Sequence, residues 1–309
     1  MISYLLARKI LELFIFVFLG FFLTKIGLLT TDDTVTLSKI ALYLLVPCAI
    51  VMSFQINIGS EYVIEMGFSL MLAFIVHIMF VILGRLFRKL FSGMAVEEGS
   101  IIYSNAGNLV IPIVASVLGE KWVIFTSTYI VVFNLFMWTH GVWLFTNEGK
   151  SETKRILNAN IFSIFVGLIT LIANIEFPPI LFNAVSDLGE FLGPMSMLIT
   201  GMIIGRIKFQ HVLEHRRVVL VMLMRLIVFP FLVLCLFKVT NMSAFVENAK
   251  GIMLVSFIAA AAPSGASISQ FAIIYKSDEE YAGIINVMTT LACIITMPLM
   301  VNIFELWIN

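Results

Sequence analysis

The sequence predicts an all-α polytopic membrane protein, and three observations support that fold class. Hydrophobic residues make up 61% of the chain and charged residues only 12%, well below the share of a soluble domain. Apolar stretches of about 20 residues recur from end to end, each long enough to cross a hydrocarbon core. The alternation typical of a membrane β-barrel is absent, so these stretches must be helices, which pair their own backbone groups inside lipid.

Ten transmembrane spans are predicted from these stretches. In chain order they cover residues 10–28, 36–54, 62–83, 99–118, 122–145, 156–175, 184–204, 218–237, 251–275 and 281–303. The polar stretch 146–155 is interpreted as a short cytoplasmic linker. It separates a first five-helix repeat, residues 1–145, from a second, residues 156–309.

The distribution of lysine and arginine predicts the orientation of the chain. Most of the 19 basic residues fall in loops on one side of the predicted spans. That side is assigned to the cytoplasm. Both termini are therefore expected outside, on the extracellular or periplasmic face of the plasma (inner) membrane.

The two halves carry matching motifs. Pro47 in the second span corresponds to Pro194 in the seventh, and SNAGNLVIP in the fourth span corresponds to AAPSGASISQ in the ninth. Because each half has five spans, an odd number, the halves are expected to form inverted repeats with broken, crossing fourth and ninth helices. Such repeats indicate a secondary transporter with its site where the breaks meet. A duplication of packing units without a transport role is the alternative.

The fourth span groups polar residues around a proline. Asn105, Asn108 and Pro112 are spaced at i, i+3 and i+7, so they share one helical face. Proline frees backbone carbonyls, and an unpaired amide in an apolar medium costs ~4–8 kcal/mol. Both asparagines are therefore candidates for contact with a substrate. The alternative is that they only satisfy the carbonyls that Pro112 exposes.

The ninth span offers the matching break. Its polar and small residues are Pro263, Ser264, Gly265, Ser267 and Gln270, which follow the alanine run 259–262. Small residues allow two helices to approach closely, and half-helix N-termini provide a positive field for a carboxylate. Tight helix packing alone is the alternative interpretation.

Two ionisable side chains fall inside predicted spans. Arg225 lies eight residues beyond Arg217, about 12 Å deep at 1.5 Å per residue. It is predicted to extend back to the cytoplasmic surface, with substrate contact as the alternative. His77 is a candidate for proton coupling, because imidazole titrates near neutral pH, although a hydrogen-bonded core histidine is favoured.

Other chemistry is not indicated. The sequence contains no HExxH motif, no glycine-rich nucleotide loop, no paired aspartates within spans and no cluster of His or Cys ligands. We therefore expect neither an enzyme nor a bound metal or cofactor. Zero net charge gives no reason to expect nucleic acid as a partner, and the lipid bilayer is the expected surrounding.

The motifs resemble those of a known family. The stretch SNAGNLVIPIVASVLG resembles the fourth-span crossover of the auxin efflux carrier family, which includes bacterial malate and malonate carriers and plant PIN-type auxin carriers. The stretches AAAPSGASISQFAIIYKSD and INVMTTLACIITMPL are similar to that family's ninth and tenth spans. The resemblance extends over nearly the whole chain.

The resemblance implies a fold similar to sodium/proton antiporters, with a scaffold part and a transport part whose broken helices cross at their prolines. It places a substrate carboxylate near Asn105, Asn108 and the Pro263 break, with the span of Pro47 lining the pocket. Elevator or rocking movement would alternate access. A homodimer is implied by the resemblance alone.

Two features depart from the plant members. The linker 146–155 is far shorter than their long cytoplasmic loop. Glu61 corresponds to an acid near the start of their third span and is a candidate for proton coupling, but Glu65 stands where they have a lysine. A charge switch between that acid and lysine therefore does not carry over.

The sequence thus predicts a secondary transporter of a small organic anion, a carboxylate such as malate or malonate or an auxin-like acid. The alternative is a membrane channel or sensor that binds organic anions without alternating access.

Overall fold

The computed structural model describes residues 2–55, 62–146, 156–173, 175–206 and 216–308. These residues form α-helices joined by short turns, and no strand occurs among them. The helices are α1 Ile2–Lys25, α2 Thr31–Ser53, α3 Val63–Phe91, α4 Ala95–Ile102, α5 Ile111–Val117, α6 Val123–Thr146, α7 Ile156–Ile172, α8 Pro179–Arg206, α9 Arg217–Thr240, α10 Ala249–Ala261, α11 Ala266–Ile274 and α12 Glu279–Trp307.

Six of these helices (α2, α3, α6, α8, α9 and α12) are long and apolar enough to cross a membrane. Each of the ten predicted ranges coincides with one helix, or with the pairs α4–α5 and α10–α11. The chain is thus a helical, multi-pass membrane protein, as its composition indicated. The inverted relation of the two halves, and with it the division at residues 146–155, stays a prediction.

Local signals in the sequence set the starts of two long helices. The Thr30 hydroxyl and the Asp33 side chain form a reciprocal capping box at the start of α2. The Asp278 carboxylate accepts a hydrogen bond from the Tyr281 N–H at the start of α12. Both caps accept hydrogen bonds from N–H groups in the first turn, which have no partner within the helix.

Three long helices contain a π-helical turn. The turns are Ala41–Leu45 in α2, Met137–Gly141 in α6 and Met224–Val228 in α9. Such turns insert a residue into the helix and redirect the side chains that follow, and they are frequent at functional sites. The third of them includes Arg225, which contacts both interrupted helices.

The helices pack in two groups. Helices α1, α2, α7 and α8 form the outer group, in which α8 contacts α1 and α2, and α2 contacts α7. Helices α3–α6 and α9–α12 form the crossing group, where α3, α6, α9 and α12 all contact α10. Every residue of α4 is buried. The short helices therefore lie at the centre of the molecule, enclosed by the long ones.

Candidate functional site

Two helical segments are interrupted at the centre of the crossing group. The first helix, α4, ends at Ile102, after which Tyr103 is extended and a π-helical turn, Ala106–Val110, leads into α5. The second, α10, ends at Ala261, and Ala262 and Gly265 are extended before α11 begins. Each segment therefore contains a few residues of extended backbone within a buried helix.

The two extended segments pair with each other. Ser104 and Ser264 form an isolated antiparallel bridge. The Asn105 N–H donates to the Pro263 carbonyl at 2.8 Å, and the Gly265 N–H donates to the Tyr103 carbonyl at 2.9 Å. The crossing thus satisfies backbone groups that would otherwise be unpaired in an apolar interior.

Close approach of the two backbones explains the glycine at position 265. A Cβ atom there would lie 3.1 Å from the Ser104 carbonyl oxygen, tighter than ordinary van der Waals contact. The backbone angle φ of Gly265 is −69°, which any residue adopts, so the requirement is space. The small-residue motif predicted this close contact correctly.

Arg225 joins the carbonyl ends of both interrupted helices. Its Nη1 donates to the Ile101 carbonyl of α4 at 3.0 Å, its Nη2 donates to the Ala260 carbonyl of α10 at 3.0 Å, and its Nε donates to the Ala262 carbonyl at 2.9 Å. Its side chain is fully buried, with the Phe80 ring 5.5 Å away. The prediction that Arg225 extends to the cytoplasmic surface is therefore wrong, because the helix-end carbonyls bind it in the interior.

Helix α12 supports the second break from the other side. The Asn286 Nδ2 donates to the Ser264 carbonyl at 2.8 Å, and the Ser264 N–H donates to the Thr289 hydroxyl at 3.2 Å. Asn286 and Thr289 are three residues apart and so share one face of α12.

The crossing leaves several buried polar atoms without a partner among the described residues. They are the Nδ2 of Asn105, the Oγ of Ser264 and the Oε1 of Gln270. Asn105 is 4% exposed and Ser264 is 1% exposed, so the protein itself shields both from solvent. Leaving such groups unpaired is costly, and a polar ligand or water would supply the missing partners.

The helix termini give the crossing an electrostatic asymmetry. Each helix C-terminus carries a partial negative charge of about half an elementary charge, so the two ends together match the +1 of Arg225. The helical segment 106–117 and α11 begin at the crossing with their N-termini. Since Arg225 covers the negative ends, the positive ends set the field of the crossing.

The other predicted site residues follow the two breaks, except Pro47, which lies in the outer group. Asn108 lies in the π-helical turn and Pro112 in the first turn of α5, but their side chains are outside what the structure describes. Gln270 donates from Nε2 to the Ser196 hydroxyl of α8 at 2.9 Å, which joins the two helix groups. Ser267 is half-buried in α11, and Pro47 is half-buried in α2, directly after its π-helical turn.

The first interruption comes earlier in the chain than expected. The resemblance implied that the helices cross at their prolines, and Pro263 does lie at the crossing. In the fourth segment, however, the extended backbone is at Tyr103 and Ser104, ahead of Pro112. Pro112 instead lies within the helical segment 106–117, shortly after its π-helical turn.

His77, one of the two candidates for proton coupling, makes its contacts within α3 and α6. His77 is buried, with its Nδ1 2.7 Å from the Ala73 carbonyl and its ring between Tyr129 and Phe136. This is the hydrogen-bonded core histidine that the sequence analysis favoured. Glu61 lies outside the described residues. Glu65 accepts a hydrogen bond from Asn248 at 3.2 Å.

Two adjacent carboxylates that the sequence analysis did not single out, Glu97 and Glu98, are buried in α4. Glu97 is fully buried in α4, where it pairs with Arg217 of α9 at 2.9 Å and accepts a hydrogen bond from the Tyr281 hydroxyl of α12 at 2.8 Å. The fourth span had been predicted to begin at Gly99, so Glu97 was assigned to a loop. Glu97 in fact lies in the first turn of the buried half-helix α4.

No group of three or more His, Cys, Asp or Glu side chains suited to a metal ion occurs within the described ranges. What the structure does show is a bundle of apolar helices with two interrupted helices crossing at its centre. Interrupted helices with polar groups at the break are characteristic of membrane transporters.

Comparison with known proteins agrees with that class. The sequence matches a family model described as membrane transport protein, the auxin efflux carrier family, over residues 5–301. The chain therefore belongs to this family and is a membrane transporter. A comparison with individual characterised proteins gives no match.

Proposed function

We propose that this transporter moves a small organic anion across the membrane by alternating access, with the substrate bound at the crossing of the interrupted helices. A carboxylate such as malate or malonate is the leading substrate, and an auxin-like acid is the next. The substrate class rests on the family resemblance and on the polarity of the crossing.

The observation that carries the proposal is the distribution of charge at the crossing. Arg225 covers both helix C-termini, so the positive N-termini are left to attract an anion. The unpaired Asn105 amide and Ser264 hydroxyl are hydrogen-bond donors beside them. A carboxylate accepts from such donors, whereas a cation would face repulsion from the same field.

The packing of the helices supports movement as well as binding. Helices α5 and α11, which follow the two breaks, contact the outer group through α1, α2 and α8. A site at this boundary changes its access when one group slides or rocks against the other. The hydrogen bond from Gln270 to Ser196 is then among the contacts that such movement would break.

The orientation and assembly belong to the same proposal. The basic side chains favour a plasma-membrane protein with both termini outside. A homodimer follows from the resemblance.

The decisive experiment is counterflow of labelled malate into proteoliposomes that are preloaded with unlabelled dicarboxylates. We expect transient accumulation of label in the wild type and at least a tenfold loss of initial rate in Asn105→Ala. Asn134→Ala is the matched control, because Asn134 is also a buried asparagine but lies in α6, and it should transport normally. Equal rates in all three proteins would refute the site.

The same assay separates the carrier from its alternative. A channel would give flux that does not saturate and shows no counterflow, and a sensor would bind the anion without flux. If malate and malonate both fail, monocarboxylates and indole acids should be tested before the anion class is given up. Asn108→Ala belongs in the series, because Asn108 is the second predicted donor.

A further inference from the structure

A second polar site lies at the end of helices α3 and α6, away from the crossing. It is a pocket of about 410 Å³ lined by Arg85, Arg88, Lys89, Glu98 and Trp143. Three helices contribute to it, because Glu98 belongs to α4. The pocket is open to the outside of the bundle.

The pocket is positively charged and its side chains are held in place. Arg88 pairs with the buried Glu98 at 3.3 Å, which leaves two of the three basic residues to balance another anion. The guanidinium of Arg85 lies over the Trp143 ring, 4.9 Å from its centre. A guanidinium group donates two parallel hydrogen bonds to the oxygens of one phosphate, and a lysine ammonium can donate a further one.

Apolar side chains adjoin the basic ones on the same helix. Ile78, Ile82 and Leu86 are exposed and spaced four residues apart, so they form a stripe along α3. Arg85 and Lys89 each follow a member of this stripe by three residues and are its direct neighbours. A ligand with an anionic head and apolar chains matches this arrangement better than a free anion does.

We propose that this pocket binds the headgroup of an anionic phospholipid. The phosphate would lie between Arg85 and Lys89, with the acyl chains along Ile78 and Ile82, which lie on the membrane side of both basic residues. Trp143 is 45% exposed, as is usual for an aromatic ring at the level of the headgroups. Basic pockets between membrane helices bind lipid headgroups by the same chemistry.

Thermal unfolding of the purified full-length protein in a non-ionic detergent tests the proposal. Dioctanoyl phosphatidylglycerol should raise the unfolding midpoint in a saturable manner. Dioctanoyl phosphatidylcholine and inorganic phosphate, at equal concentrations, should not. The double variant Arg85→Gln/Lys89→Gln should need at least tenfold more phosphatidylglycerol for the same shift.

A matched control variant tests whether the effect is specific to the pocket, and a second variant is available if the first does not fold. Arg216→Gln/Lys39→Gln removes the same two residue types from exposed positions outside the pocket and should respond like the wild type. If the double variant does not fold, the single exposed change Lys89→Glu should lose the response instead. Equal shifts with phosphatidylcholine, an undiminished response in the pocket variants, or an equal shift with phosphate alone would overturn the lipid site.

Discussion

At the scale of single residues, each interruption leaves carbonyl groups at a helix end without an intrahelical partner. The Arg225 guanidinium satisfies three of them at once, from two helices, with its planar set of donors. Burying a charge is costly unless it is compensated. Here the compensation comes from two helix C-termini, so no buried carboxylate is needed beside it.

Replacement of Arg225 by lysine tests this role. Lysine keeps the positive charge, but its compact ammonium cannot reach three carbonyls in the plane of a guanidinium. Loss of a hydrogen bond from a charged group costs ~1.5–3 kcal/mol. We expect Arg225→Lys to lower the thermal midpoint by roughly 5 °C and to reduce malate counterflow at least tenfold.

The control for this variant is Arg216→Lys, the same change at an exposed position next to α9. It should leave both the midpoint and the rate unchanged. If Arg225→Lys behaves like the wild type, the positive charge at position 225 is sufficient and the three hydrogen bonds of the guanidinium are not required.

At the scale of helices, the sequence predicted that the fourth and ninth segments are interrupted, but it did not predict the residue at which the fourth one breaks. The run of small residues and Pro263 indicated the second break, where a Cβ at Gly265 would lie 3.1 Å from the Ser104 carbonyl oxygen. The first break was assigned to Pro112, but the extended backbone comes earlier, at Tyr103, and Pro112 lies within the helical segment 106–117. The positions of the two breaks are set by their pairing with each other. That pairing is a tertiary contact, which cannot be predicted from the local pattern of a single sequence.

Another contact between helices depends on glycine and can be tested directly. Gly201 of α8 packs so closely on α1 that an added Cβ would overlap the Val17 carbonyl oxygen. Gly20 of α1 meets the Leu198 carbonyl of α8 in the same manner. We expect Gly201→Ala to push the two helices apart at a cost of ~1–3 kcal/mol, seen as a lower thermal midpoint and a lower yield of folded protein.

Gly67→Ala in α3 is the matched control, because an added Cβ at Gly67 meets no atom within 4 Å. Alanine is favoured over glycine in a helix interior by ~1 kcal/mol, so this variant should be as stable as the wild type or more so. If both variants shift the midpoint equally, the packing of α1 on α8 does not depend on the glycine.

At the scale of the whole molecule, hydropathy predicted where the helices lie but not how they associate. Glu97 illustrates the difference. Its pairing with Arg217 and Tyr281 joins α4 to α9 and α12, and no spacing in the sequence relates those three residues. The division into an outer group and a crossing group is likewise a result of packing. The resemblance implied such a division, whereas composition and periodicity did not.

The charges of the whole molecule also bear on how transport is driven. In the crossing, the Asn286 amide, the Thr289 hydroxyl and Arg225 bind the backbone of the breaks, and the charge of Arg225 is matched by two helix ends. The His140 imidazole lies 2.8 Å from the Tyr103 hydroxyl, and the Cys293 thiol lies 4.0 Å from the Ala261 carbonyl. No carboxylate is among these described groups. We therefore expect the anion to move with its charge, so that the membrane potential drives it.

This expectation can be measured in proteoliposomes with an imposed potassium diffusion potential and no sodium on either side. One elementary charge moved through 100 mV corresponds to ~2.3 kcal/mol, or an equilibrium ratio of about 50 for a monoanion. An inside-negative potential should drive labelled substrate out, and an inside-positive potential should accumulate it, with no effect of a protonophore while the potential is clamped. Accumulation that instead follows a pH gradient and is abolished by the protonophore would indicate proton coupling. Glu61→Gln and His77→Gln would then identify the residue that carries the proton, because only the variant at that position should lose its response to the gradient.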